Sequence, residues 1–350
     1  MKQNKVAIIG SGGREHALAW KFAQSLSWKN VFTLSGNGGI PNSHYIDTEN
    51  FAELETFCKE NEIDLIFVGP EQHLAAGIVD YFKDKEVKVF GPDKNAAQLE
   101  ASKIFAKQFM QKYNIATAGF QIFSNINDAK KTIEEKQGDL VIKFDGLAAG
   151  KGVFVCSSIS EADIALQELE KSYGKDVDFI IEDKIAGDEI SIIGFTDGKN
   201  IKLLQTSQDH KQLLDGDKGA NTGGMGAYSP VKDASKGLMQ KIHDKIINPT
   251  LKGIQAEKMN YKGMIYFGIM VKDAEPYLLE YNARFGDPET EVLLPALKND
   301  LYKVVTKCLS GNLKGVSLKF ENGYFADVVL VSGGYPKSYE KGFEISGLND

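Results

Sequence analysis

The chain has 350 residues, 42% of them hydrophobic and 25% charged, enough for two or three domains with sizeable cores; disordered, collagen-like and coiled-coil proteins are excluded. Its 41 Lys and Arg against 48 Asp and Glu leave a net charge of −7, which argues against a coat for nucleic acid or an anionic membrane but not against a locally positive site for a small anion. Cys58, Cys156 and Cys308 lie far apart and form no CxxC or Cys/His cluster, so no disulfide framework or zinc site is expected.

The first 92 residues alternate strand and helix signals. Val6–Ile9 is a short apolar run ending at Gly10-Ser11-Gly12-Gly13, too short for a secretory signal, and no stretch approaches a membrane span. A cytoplasmic protein with no nucleic-acid or membrane partner is the expectation. A helical pattern follows through Ala17, Leu18, Trp20 and Phe22, then a second strand at Val31–Leu34 and a helix over 51–61. Leu65–Val68 reads as a strand stopped by Gly69-Pro70, Ala75–Lys83 as a helix, and Val87–Phe90 as a strand stopped by Gly91-Pro92. This alternation predicts a parallel, Rossmann-like sheet. Ser102–Tyr113 then reads as an amphipathic helix, and 140–157 as strand, glycine-rich loop, strand. Further strands are expected at Phe179–Glu182, Glu189–Phe195 and Ile201–Gln205, the last two joined by the turn Asp197-Gly198, so the sheets become antiparallel. A long helix from Ser235 to about Glu257, a strand pair at Tyr266–Val271 and Tyr277–Asn282, a helix at Asp300–Leu309 and a last strand at Tyr324–Val331 complete the pattern.

Five segments carry chemistry. The cluster Gly10-Ser11-Gly12-Gly13-Arg14-Glu15 follows a strand and opens a helix, which presents backbone N–H groups to an anion. A dinucleotide fingerprint would need Gly or Ala where Glu15 stands, and no acid ends the second strand at Leu34-Ser35, so a nicotinamide oxidoreductase is disfavoured. A tight turn needing glycine only for its backbone fits the same spacing. Gly146-Leu147-Ala148-Ala149-Gly150-Lys151-Gly152 resembles a P-loop but has only three residues between its first glycines, and Gly152 replaces the metal-binding hydroxyl. At a hairpin tip it can instead fold over phosphates, with Lys143 and Lys151 adding charge, although a flexible surface hairpin has the same composition. The acidic connection Glu182-Asp183-Lys184-Ile185 after an apolar strand can offer backbone groups to a base and carboxylates to a ribose; alone it is an ordinary solvated loop. In Glu280-Tyr281-Asn282, alternation along a strand places Glu280 and Asn282 on one face, a pair of oxygens that suits Mg²⁺, and Arg284 falls on that side if the strand continues. Last, Thr206-Ser207-Gln208-Asp209-His210-Lys211 ends a strand, and Asn221-Thr222-Gly223-Gly224-Met225-Gly226 is a second loop able to approach an anion; His210 is given no proton-transfer role.

Taken together, GSGGREHALAWK, VGPE, GPDKNAAQLEASKIFAK, GLAAGKGV, TSQDHK, NTGGMGAYSP, EYNARFGDPET and GGYP, in that order from Gly10 to Pro336, resemble the ATP-grasp superfamily and, within it, the phosphoribosylamine–glycine ligases. Two departures stand out: Phe144 replaces a small residue before Asp-Gly, and family members usually continue beyond position 350. The resemblance implies an α/β and α+β multidomain fold: a Rossmann-like domain over 1–101, an ATP-grasp domain over 102–310 with a lid at about 115–190, and over 311–350 the truncated start of a C-terminal domain. It implies an ATP-dependent ligation of glycine to 5-phosphoribosylamine, with Mg²⁺ or Mn²⁺ on Glu280 and Asn282. The nucleotide would be held by Lys103, Lys143, Gly150, Lys151, Gly152, Glu182, Lys184, Ile185 and Glu189, and Arg284 and Lys143 would act at the reacting groups. Gly12, Gly13, Arg14, Glu15, Asp209, Thr222, Gly223, Gly224, Met225 and Asp287 are implied for the amino acid and sugar phosphate. A monomer or weak homo-oligomer is expected. A sister ATP-grasp carboxylate ligase shares the nucleotide residues but not GSGGREHA, TSQDHK and NTGGMGAYSP together; a nucleotide-binding protein without catalysis would not need Glu280, Asn282 and Arg284.

Overall fold

Val6–Ile9 and Leu65–Val68 are apolar at every position, so both their faces need cover. The computed structural model describes residues 3–148, 152–216 and 218–347 and supplies that cover. Val31–Leu34, Val6–Ile9, Leu65–Val68 and Lys88–Pro92 lie parallel in that order, with Val6 level with both Val31 and Leu65. Alternate residues enter different cores: Ala7 and Ile9 pack with Leu34, Leu54 and Ile66, whereas Val6 and Ile8 pack with Leu18, Phe22 and Phe67. The sheet then changes character without breaking. Gly91 and Pro92 pair antiparallel with Lys262 and Tyr261, and the long strand Tyr261–Lys272 runs on between Asp188–Thr196 and Glu275–Asn282.

A second, smaller antiparallel sheet has the order Phe120–Phe123, Phe179–Asp183, Asp139–Phe144, Val153–Ser157. Helix Ile159–Tyr173 covers one face with Ala162, Ala165, Leu166 and Leu169. Ser158 caps that helix by accepting from Glu161 N, a contact worth about 1 kcal/mol.

Several expectations need correcting. The Ala75–Lys83 pattern is two short helices, Glu71–Ala76 and Ile78–Tyr81, parted at Gly77, whose φ of +93° ends the first. The long helix from Ser235 contains a π-turn at His243–Ile247, between Lys236–Ile242 and Asn248–Ala256. Pro249 has no N–H for the Lys245 carbonyl, which instead accepts from Ala116 N at 3.1 Å. Of the final expected strand, Phe325–Ala326 forms a regular ladder with Tyr228 and Ser229, and beyond it Asp327 N and Val329 N donate singly to the Ala227 and Met225 carbonyls. Trp20 is not on the core face of its helix but half exposed. Helix Glu289–Ala296 is absent from the expected elements, because it is buried on nearly all sides, with Glu289 and Thr290 among the buried residues, and shows no amphipathic period.

Candidate active site

Glu275–Asn282 delivers the centre of the site. A bulge near Leu279 shifts its register, so that Gly268 faces Glu280 while Ile269 faces Leu278. Leu278 and Tyr281 point into the core, and Glu280 and Asn282 share the other side. Burial would raise the Glu280 pKa, but Lys103, Lys211, Lys143 and Arg284 outweigh it and hold the carboxylate at about 2. Arg284 does fall on this side: its Nη2 donates to Asn282 Oδ1 at 3.3 Å. Two acids clamp the same guanidinium, Glu100 at 3.1 Å and Glu71 at 3.3 Å, and Glu100 also accepts from Ala283 N at 2.7 Å. The fork is thereby fixed before any ligand arrives.

Lys143 rises from the small sheet into the same cleft. Its ammonium lies 2.9 Å from Glu182 Oε1 and donates to the Leu279 carbonyl at 3.2 Å. The Glu182 side chain is therefore buried against lysines instead of lying open beside a base. Its other oxygen lies 3.1 Å from Lys107, a residue the sequence reading passed over. Burial brings the Lys107 pKa down to about 8 despite the opposing pull of Glu182. Lys103 opens helix Lys103–Lys112, which Ser102 caps. The Lys184 side chain turns away to Asp139 and Ser157, and residues 184–187 form the connection from strand Phe179–Asp183 to strand Asp188–Thr196. Glu189 pairs with Lys211, a second cation that the sequence reading did not single out. Gly150 and Lys151 lie outside the described residues; Gly152 packs against Phe144, 3.1 Å from the Phe144 Cβ for an added methyl.

The remaining candidates meet on the far side of Arg284. Glu15 is not open to a ligand: it folds back, accepts from Gly12 N at 2.7 Å and from Arg14 Nε at 2.6 Å, and is almost fully buried. Gly69 must be glycine here, because a Cβ would collide with Glu15 and with the Ile9 carbonyl. Arg14 in turn donates to the Phe285 carbonyl at 3.2 Å, which also accepts from Arg284 at 3.1 Å. A Cβ on Gly12 would sit 3.0 Å from Asp287 Oδ2, and one on Gly13 would meet Glu291. Gly224, at φ +125°, packs on Pro288, and Thr222 and Met225 are stitched to the backbone of Lys211 and His210. This brings 12–15, 222–225 and Asp287 together. Asp209 sits beside Lys211 at 3.8 Å, and burial pushes its pKa up to about 7. Burial and then Asp287 push Glu291 up to about 9.

The chemistry of this donor set suits a nucleotide polyphosphate and a divalent cation. An ionised Glu280 and the Asn282 amide oxygen give two oxygens on one face, and the surrounding cations can neutralise phosphates. Among the described residues there is no group of three or more His, Cys, Asp and Glu that could hold a metal ion. No helix among the described residues is long and apolar enough to cross a membrane.

Comparison with known proteins places this geometry in context. Residues 4–100 match the phosphoribosylglycinamide synthetase N domain, and residues 101–290 match the phosphoribosylglycinamide synthetase ATP-grasp (A) domain. A phosphoribosylamine–glycine ligase of Clostridium acetobutylicum is 44% identical over 99% of this chain and 85% of its own length. The human trifunctional purine biosynthetic protein adenosine-3 is 46% identical over 98% of this chain and 35% of its own length. The crystal structure of a phosphoribosylamine–glycine ligase from Thermotoga maritima superimposes with a TM-score of 0.81 at 35% identity, covering 97% of this chain and 83% of that one.

Proposed function

The chain belongs to the phosphoribosylamine–glycine ligase family of ATP-grasp enzymes in purine biosynthesis, and from that premise we propose how its residues divide the reaction. The reaction joins ATP, glycine and 5-phosphoribosylamine to give N1-(5-phosphoribosyl)glycinamide, ADP and phosphate. A carboxylate is a poor acyl donor, so a glycine oxygen first takes the γ-phosphoryl group, and the amine of phosphoribosylamine then displaces phosphate from the glycyl phosphate. Positioning and charge neutralisation do most of this work.

Lys103 and Lys143 hold the phosphates from opposite walls of the cleft. The backbone at Lys184 and Ile185 borders the base, and Glu189, held by Lys211, takes the ribose. Glu280 and Asn282 would hold Mg²⁺ or Mn²⁺, which when bound would offset phosphate charge as a Lewis acid. Arg284, fixed by Glu71 and Glu100, stabilises negative charge where the acyl phosphate forms. Arg14, the 222–225 loop, Asp209 and Asp287 bind the amino acid and the sugar phosphate. The small sheet acts as a lid that keeps water from the acyl phosphate. The enzyme works in the cytoplasm as a monomer or weak homo-oligomer.

One observation carries this reading: an acid held ionised at about 2 shares a strand face with an amide oxygen and lies among four cations from separate elements. The test is phosphate release from ATP, with glycine and freshly made phosphoribosylamine each omitted in turn. Release that requires both is expected; release indifferent to glycine would overturn the reading.

A further inference from the structure

Glu182 sits between two buried ammonium groups. Its Oε1 lies 2.9 Å from Lys143 Nζ and its Oε2 lies 3.1 Å from Lys107 Nζ; the side chains of Glu182 and Lys107 are 2% exposed and that of Lys143 is 6% exposed. Lys107 comes from helix Lys103–Lys112, outside the small sheet that carries Glu182 and Lys143. It donates to Thr117 Oγ1 at 2.6 Å, and Thr117 donates to the Leu278 carbonyl at 2.6 Å. Lys143 donates to the next carbonyl, Leu279, at the bulge just before Glu280. Both lysines are thus referenced to the strand that presents Glu280.

The arrangement bears on what happens when a polyphosphate arrives. With Lys143 as its only partner, a buried Glu182 would hold that lysine in a closed pair. Handing Lys143 to a phosphate would then strand an uncompensated buried carboxylate, which is strongly unfavourable. A second ammonium on the opposite oxygen removes that obstacle.

We propose that Lys107 is a positioning residue for Lys143: by holding one oxygen of Glu182 it keeps that carboxylate compensated while Lys143 turns to a nucleotide polyphosphate. This rests on the reading of Lys143 as a phosphate-side group. Lys107 touches no ligand itself. It sets the availability and aim of the group that does, and Thr117 sets the aim of Lys107.

The test measures dissociation constants of MgATP and of AMP by calorimetry for the wild type, Lys107→Met, Thr117→Val and the double variant Lys107→Met/Glu182→Gln, with melting temperatures alongside. Lys107→Met should weaken MgATP by about tenfold or more and AMP by less than about threefold, because the lost compensation acts on the polyphosphate-binding lysine. The double variant should regain most of the MgATP affinity, since a neutral amide no longer detains Lys143. Thr117→Val should show the same selective loss at about two- to threefold, and decides the matter if Lys107→Met does not fold. Equal losses for MgATP and AMP, or no rescue in the double variant, would overturn the proposal. Should the wild type bind no ATP at all, the nucleotide reading itself falls, and the two failures are thereby distinct.

Discussion

The Phe285 carbonyl accepts from Arg14 and from Arg284, one guanidinium from the first helix and one from the far end of the central sheet. Two like charges share one acceptor only because Glu15, Glu71 and Glu100 surround them. That junction links the Glu280 and Asn282 face of the central sheet to the glycine-rich segments 12–15 and 222–225. Phe144, where a small residue is expected before Asp145-Gly146, has its own structural account. Its ring stacks on Tyr173 with centroids 3.8 Å apart, and Gly146 at φ +155° leaves no room for a Cβ against it. The aromatic ring thus braces the root of the glycine loop from the side of helix Ile159–Tyr173. At this scale the sharpest expectation concerns Glu280. Glu280→Ala should cut metal-dependent turnover by roughly two to three orders of magnitude or more, with the far-ultraviolet circular dichroism unchanged. Turnover near the wild-type rate would remove Glu280 from the metal site.

Strand Glu275–Asn282 does three jobs with eight residues. Its buried side anchors the sheet, its open side carries Glu280 and Asn282, and its bulge frees a carbonyl for Lys143. The strand start is tied down by Glu275, which pairs with Lys241 and Lys245 from the helix and π-turn alongside. Hydrogen bonds from those lysines pull the Glu275 pKa from 4.5 to about 2. A depressed acid contributes stability that is present above its unfolded pKa and lost as the pH falls through its folded one. The urea midpoint of the wild type should therefore exceed that of Glu275→Gln at pH 7, and the gap should narrow between pH 4.5 and 2. A gap that stays constant over that window would show that the ion pairs of Glu275 with Lys241 and Lys245 contribute nothing to stability.

The two sheets communicate through a few specific contacts. Asp145, at the mouth of the glycine loop, accepts from Ser102 Oγ at 2.9 Å and from Ile104 N at 3.0 Å, so the small sheet is latched to the helix that begins with Lys103. Lys143 and Lys103 face one cleft partly because of this latch. Asp145→Ala should raise the KM for ATP several-fold and speed limited proteolysis within the small sheet, with the melting temperature of the main sheet little changed. Cleavage rates equal to the wild type would show that the small sheet does not depend on the latch.

Sequence alone determined the order of most strands and helices, the passage from parallel to antiparallel sheet, and the family. These depend on local periodicity and on glycine, proline and charged motifs whose order survives without coordinates. Glu280 and Asn282 were legible because alternation along a strand fixes the face of each residue. Tertiary structure alone decided that Glu15 closes on its own loop, that Glu182 serves two lysines, and that Lys107, Lys211, Glu71 and Glu100 complete the electrostatics. Partners such as Lys143 and Leu279, or Arg14 and Phe285, stand 136 and 271 residues apart in the chain. No spacing rule reaches that far, and burial is what converts such distant charges into binding partners.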